Sequence, residues 1–161
     1  MITMLRIDDR LIHGQIAVLW TKQLSVTHII VANDKVAANE IQKASLKMAA
    51  PANLKCNIMP VQDAIDVVND PRAKDLKILV IVNNTEDAKT IALKANDLQL
   101  FNVGNYGLIS EDVSGKKKLG DTFYVNEEDE ENLKAILQTG VKSIYQLVPT
   151  KPEKPISELI K

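Results

Sequence analysis

Cys56 is the single cysteine among 161 residues, so no disulfide can form within the chain, and a reducing compartment suits it. There are only two histidines, and with Cys56 they do not form the spacing of a metal site. The formal net charge is −1, from 20 basic and 21 acidic residues, which speaks against a general nucleic-acid binder. No apolar run approaches the length of a membrane span, and the first residues lack the basic-then-apolar order of a secretory signal. Internal repeats, low-complexity segments and linkers are absent. The length suits one well-buried core, so residues 1–161 are expected to form a single domain.

The remaining pattern alternates between strand-like and helix-like segments. Ile2 to Ile7 is short, apolar and partly β-branched, as in a buried strand. Gln15 to Lys22 continues an apolar face at helical spacing through Leu11, Leu19 and Trp20. Thr27 to Ala32 predicts a second strand, and Val36 to Ala49 a helix that stops before Pro51. Further strands are expected at Leu54 to Met59, Leu76 to Val82 and Leu98 to Val103, with helices at Val61 to Val68 and Asp87 to Lys94. Tyr106 to Lys118 predicts a loop or hairpin leading to a strand at Thr122 to Val125. A helix to about Leu137, a last strand at Val141 to Leu147 and a short helix at Ile156 to Ile160 complete the chain. Such alternation implies an α/β fold: an open, twisted, mostly parallel sheet of about seven strands with helices on both faces.

The polar joint between the first strand and first helix is the most informative segment. Arg6-Ile7-Asp8-Asp9-Arg10-Leu11-Ile12-His13-Gly14-Gln15 places an imidazole at a strand exit and a helix mouth. In parallel sheets this edge carries ligands, and the free N–H groups and dipole of a helix start attract anions. Gly14 lets the backbone approach a bound group closely. A neutral imidazole is a competent nucleophile for phosphorus. The Arg10 fork suits two oxygens of a phosphoryl group, and Arg6 either adds positive potential at longer range or is turned away from the site by strand alternation. Asp8 or Asp9 would hydrogen-bond the second ring nitrogen and fix the tautomer. Such a kit is sufficient for phosphoryl transfer, which asks mainly for positioning and charge stabilisation.

Other features have plainer readings beside functional ones. Asn33 and Asp34, at another strand end, line the same cleft or form a turn and helix cap. Asn84 and Thr85 carry the same two readings, with capping favoured. Gly104, Asn105 and Gly107 border the cleft or serve turn geometry. Trp20, two turns beyond His13, is assigned to the core rather than to a docking face. His28 and Cys56 are assigned structural places. Lys116-Lys117-Lys118 reads as a solvated hairpin face, and the acids Glu127 to Glu131 as a favourable first helical turn.

The Arg6–Gln15 segment, with Ile16-Ala17-Val18-Leu19-Trp20 after it, resembles the active-site segment of enzyme IIB components of the mannose-type sugar phosphotransferase system. The family includes mannose, fructose, sorbose and N-acetylated aminosugar transporters. Weaker likenesses continue at Val31-Ala32-Asn33-Asp34-Lys35-Val36-Ala37, Lys47-Met48-Ala49-Ala50-Pro51 and Phe101-Asn102-Val103-Gly104, so that nearly the whole chain is covered. The resemblance implies a cytoplasmic phosphotransferase, associated with the membrane only through partner subunits. It would take a phosphoryl group from the histidine of a IIA protein onto His13, at the δ1 nitrogen, and pass it to a sugar entering through IIC and IID subunits. Arg10 would be the phosphate-binding arginine, and no cofactor or metal is required. Asn105-Tyr106-Gly107 departs from the pattern, which would place a second glycine and a small or apolar residue after Gly104. Two alternatives from the residues alone stay open: a phosphate- or nucleotide-sensing module that is never covalently modified, and a hydrolase releasing phosphate from His13 to water.

Overall fold

The computed structural model describes residues 1–108 and 114–161. Part of the loop expected at Tyr106 to Lys118 therefore lies outside the described residues. The chain begins with β1 (Ile2–Ile7), α1 (Gly14–Leu24) and β2 (His28–Ala32). Two helices, α2 (Asp34–Ala37) and α3 (Glu40–Ala49), precede β3 (Lys55–Met59), α4 (Val61–Asn69) and β4 (Ile78–Val82). Next come α5 (Thr85–Lys94), β5 (Leu100–Val103), β6 (Lys117–Gly120), β7 (Phe123–Val125) and α6 (Glu127–Gln138). The chain closes with β8 (Lys142–Tyr145), β9 (Lys154–Pro155) and α7 (Ile156–Leu159).

Seven strands form one sheet in the order β3-β2-β4-β1-β5-β8-β9. All pairings in it are parallel except that of β8 with β9. The five residues of β4 are all buried, which explains their unbroken run of Ile, Leu and Val: a central parallel strand has no polar face. Each such side chain contributes about 1.5–3 kcal/mol through burial. One face of the sheet packs Met4, Ile29, Val31, Leu79 and Ile81 against Ala17 and Trp20 of α1. The other packs Leu5, Ile30, Val80 and Val82 against Ala64 and Ile65 of α4, Ala88 and Ile91 of α5, and Leu133 and Ile136 of α6.

Three expectations are corrected. The helix expected over Val36 to Ala49 is two helices, because the Asn39 side chain accepts the Gln42 N–H at 3.0 Å and caps a new start. Phe123–Val125 is not in the main sheet; it pairs with β6 as an antiparallel hairpin. The segment Val141 to Leu147 is not the last strand: β8 stops at Tyr145, and Lys154 returns to pair with Tyr145 as β9.

Candidate active site

The joint between β1 and α1 is a tight structure held by Asp8. Its backbone carbonyl accepts the Leu11 N–H at 2.9 Å, closing a turn, and its Oδ1 accepts the Arg10 N–H at 3.1 Å. Leu11 has φ 61°, a left-handed conformation costing on the order of 1 kcal/mol in a non-glycine residue. Burial of Leu11 and Ile12 beside Trp20 offsets that strain. Gly14, at φ 48°, then starts α1, a conformation that only glycine takes freely.

This turn brings His13 back over Asp8. The His13 Nε2 lies 3.2 Å from Asp8 Oδ1 and 3.1 Å from Oδ2. A carboxylate only accepts, so this contact selects the Nε2–H tautomer and leaves the Nδ1 lone pair free. The imidazole is 22% exposed while Asp8 is fully buried, so a reaction partner can reach the ring but not the group that orients it. Of the two carboxylates expected to compete for this role, only Asp8 fills it. Asp9 instead accepts the Leu108 N–H at 3.1 Å.

Arg6 lies beneath the site rather than facing an incoming group. It is 2% exposed, and its Nη2 donates to Asp8 Oδ2 at 3.0 Å, so its charge is neutralised beneath the site and is not projected from it. Nη2 also reaches the Leu147 carbonyl at 3.1 Å; Nη1 donates to Asn102 Oδ1 and to the Gln146 carbonyl. The guanidinium carbon stands 5.6 Å from the Trp20 ring centroid. Burial pulls the guanidinium's pKa down from its ordinary value, and Asp8 opposes that. Gly104 is there because of this arginine. A Cβ on it would stand 2.0 Å from Arg6 Nη2, so the missing side chain is what admits Arg6.

Arg10, by contrast, is exposed, and no partner of its guanidinium is found among the described residues. It lies in the turn closed by Asp8 and Leu11, three residues before His13. Gln15 is exposed in the first turn of α1.

Asn33, Asp34 and Asn84 line a neighbouring cleft of about 610 Å³ at the carboxyl ends of β2 and β4, together with Asn83, Glu86 and Asp87. His13 is not among its lining residues. All three have structural duties: Asn33 and Asn84 cap α2 and α5, and Asp34 accepts the Val61 N–H at 2.9 Å. Trp20 is buried, as expected, and its indole donates to the Leu147 carbonyl at 3.0 Å.

Asn102 is the residue that sequence reasoning missed as part of the site, whereas Asn105 was already placed beside it. Asn102 is fully buried and bridges Arg6 to the Gln146 carbonyl, which its Nδ2 meets at 3.0 Å. An asparagine between Phe101 and Val103, inside an otherwise apolar strand, was the signal available. Asn105 approaches Asp8 with its side-chain amide at 3.4 Å and accepts the Asp9 N–H on its carbonyl at 2.8 Å.

The model of the PTS system sorbose subfamily IIB component matches residues 2–161. The chain belongs to that family. It is 41% identical to a probable phosphotransferase enzyme IIB component of Streptococcus pyogenes serotype M6, across 99% of each chain. A sorbose-specific EIIB component of Lacticaseibacillus casei is 31% identical over 96% of this chain and 92% of its own. The IIB domain of the sorbose permease from Klebsiella pneumoniae superposes with a TM-score of 0.89 at 30% identity, over 99% of this chain and 95% of that one. Membership makes the chain a phosphotransferase of the mannose/sorbose type, and the parallel α/β sheet agrees with that structure. N-acetylgalactosamine-specific IIB components are also among its relatives. None of the described helices is long and apolar enough to cross a membrane.

Proposed function

We propose that the chain is a cytoplasmic phosphocarrier of a sugar phosphotransferase system, with His13 as the covalent site. The observation that carries this reading is the Asp8–His13 contact, which engages Nε2 and leaves Nδ1 of the partly exposed ring as nucleophile. In the first step Nδ1 attacks the phosphorus of a phosphohistidine on a IIA protein. The new N–P bond forms as the donor's N–P bond breaks, and the donor imidazole leaves with that electron pair. His13 keeps its Nε2 proton, and Asp8 balances the positive charge that the phosphorylated ring acquires. In the second step a sugar hydroxyl, presented through membrane IIC and IID subunits, attacks the same phosphorus. His13 departs as neutral imidazole, and the hydroxyl proton passes to solvent or to a base of the membrane subunits.

Arg10 is assigned to the equatorial oxygens of the transferring group, with the N–H groups at the start of α1 adding positive potential. Transfer between proteins needs a shallow, reachable acceptor, and His13 is one. A IIA donor is supported by the mannose-specific EIIAB component of Escherichia coli, which is 32% identical to 96% of this chain; the match covers 47% of that protein. Contact with the membrane would run through the partner subunits.

The test is incubation with a phosphorylated IIA protein followed by intact-mass analysis. An acid-labile adduct on the parent, absent from His13→Ala and discharged by membranes carrying IIC and IID with sugar, is expected. No adduct on the parent would favour a non-covalent anion sensor, and rapid release to water would favour a hydrolase.

A further inference from the structure

We propose that Asn105 is a positioning residue for the Asp8–His13 pair, an inference that rests on His13 being the phosphoryl carrier. The Asp8 carboxylate offers about four lone-pair sites. Oδ1 meets the Arg10 N–H at 3.1 Å and His13 Nε2 at 3.2 Å. Oδ2 meets Arg6 Nη2 at 3.0 Å, His13 Nε2 at 3.1 Å and Asn105 Nδ2 at 3.4 Å. Carboxylate rotation about its terminal torsion is intrinsically soft, so donors placed on both oxygens decide where the plane rests. Arg6 and Arg10 hold that plane from the β1 segment itself. Asn105 is the donor that comes from elsewhere, the loop after β5.

The described start of that loop, residues 104–108, is tied to its neighbours by hydrogen bonds. The Asn105 carbonyl accepts the Asp9 N–H at 2.8 Å, which ties the two loops together next to the carboxylate. The following residue, Tyr106, exchanges backbone hydrogen bonds with Thr122 and Tyr124 at 2.8 Å each. Its hydroxyl donates to Asp129 at 2.7 Å. Gly107, at φ 90°, lies where a Cβ would stand 2.1 Å from the Tyr124 carbonyl oxygen, so only glycine lets the chain pass this close to β7. The amide of Asn105 is thus presented to Asp8 from a segment anchored on β7 and α6 and not on α1.

Asn105→Ala and Asn105→Asp test this, since both keep the backbone link to Asp9. The first removes the donor; the second also sets a like charge against Asp8. Two readouts are needed: ¹⁵N signals of the His13 ring in the unphosphorylated protein, and kcat and KM for a phosphorylated IIA protein. Asn105→Ala should move or broaden the ring signals and lower kcat roughly threefold to tenfold with KM unchanged. Asn105→Asp should lower kcat further. Parental ring signals and parental kcat in both variants would overturn the proposal, as would a raised KM with kcat intact, which marks a contact with the donor protein. If the parent takes up no phosphate, the carrier reading fails, and the ring signals alone still decide the role of Asn105.

Discussion

Asp8 and the two arginines beside it show how one short motif divides its labour. Arg6 is buried and neutralised, and it joins β1 to Asn102 and to the carbonyls that follow β8. Arg10 is exposed and has no side-chain duty among the described residues. Removing each therefore has a different signature. Arg10→Ala should change stability by no more than about 0.5 kcal/mol. Transfer to His13 should fall roughly tenfold to a hundredfold, the loss expected for a charge-assisted fork on a phosphoryl group. Urea unfolding and single-turnover labelling separate the two effects, and unaltered labelling would remove Arg10 from the mechanism. Gly104→Ala should do the reverse in origin. Its new methyl meets a guanidinium that is already fixed by four polar partners, so the cost is about 1–3 kcal/mol of overpacking, read as a lower urea midpoint. Any loss of labelling there would follow the displacement of Arg6, and with it Asp8.

At the scale of elements, what was legible followed from strong local signals. β4 announced itself by five consecutive branched or aliphatic residues, and α1 by its apolar spacing. His13 at the strand exit was legible because the motif is local and long. What escaped depends on partners distant in sequence. Asn39 looks like any polar residue on a helix until its oxygen is seen capping Gln42, and β9 is two residues whose only reason to be a strand is β8. Asp129 is the instructive case. Glu127 to Glu131 read as a favourable acidic first turn, which α6 indeed has, with Asn126 and Asp129 forming a capping box. Asp129 itself is buried, accepting the hydroxyls of Thr85 and Tyr106 at 2.7 Å each. It therefore fastens α6 to α5 and to the loop carrying Asn105. Burial, and the bond to Asp129 after it, hold the Tyr106 hydroxyl's pKa above its ordinary value. Asp129→Ala should cost about 2–4 kcal/mol, combining the lost acceptor of the Asn126 N–H in the capping box with hydroxyls left without an acceptor. Tyr106→Phe should cost less, since Thr85 and Asn126 keep their bonds. Thermal or urea denaturation of the pair checks the order.

For the molecule as a whole, the carboxyl edge of the sheet is not uniform in charge. The β1 end presents Arg10 and an imidazole, whereas the cleft at the ends of β2 and β4 is bordered by three acids, Asp34, Glu86 and Asp87, against one base, Lys35. An incoming phosphoryl group is thus favoured at one end of the edge and repelled from the other. This asymmetry has a consequence for stability that can be measured. Burial first, then the charges of Asp34 and Glu86, raise the Asp87 carboxyl above its ordinary value of 3.8, against the opposing hydrogen bond from Asn84. A raised carboxyl holds its proton in the folded state at pH values where the unfolded chain has lost it. The folded state then binds more protons in that window, so its stability declines as pH rises through it. Asp87→Asn removes the titration while retaining an oxygen that can accept the Asn84 amide. The variant should gain on the parent as the medium is taken from about pH 4 to about pH 7, the gap being smallest at the acid end. Urea unfolding of both proteins at several pH values gives that gap directly, and constant offsets from the substitution cancel in its pH dependence. A gap that stays level, or widens toward acid, would mean that Asp87 is no less ionised when folded than in the open chain, and the acidic end of the edge would then carry no cost in folding.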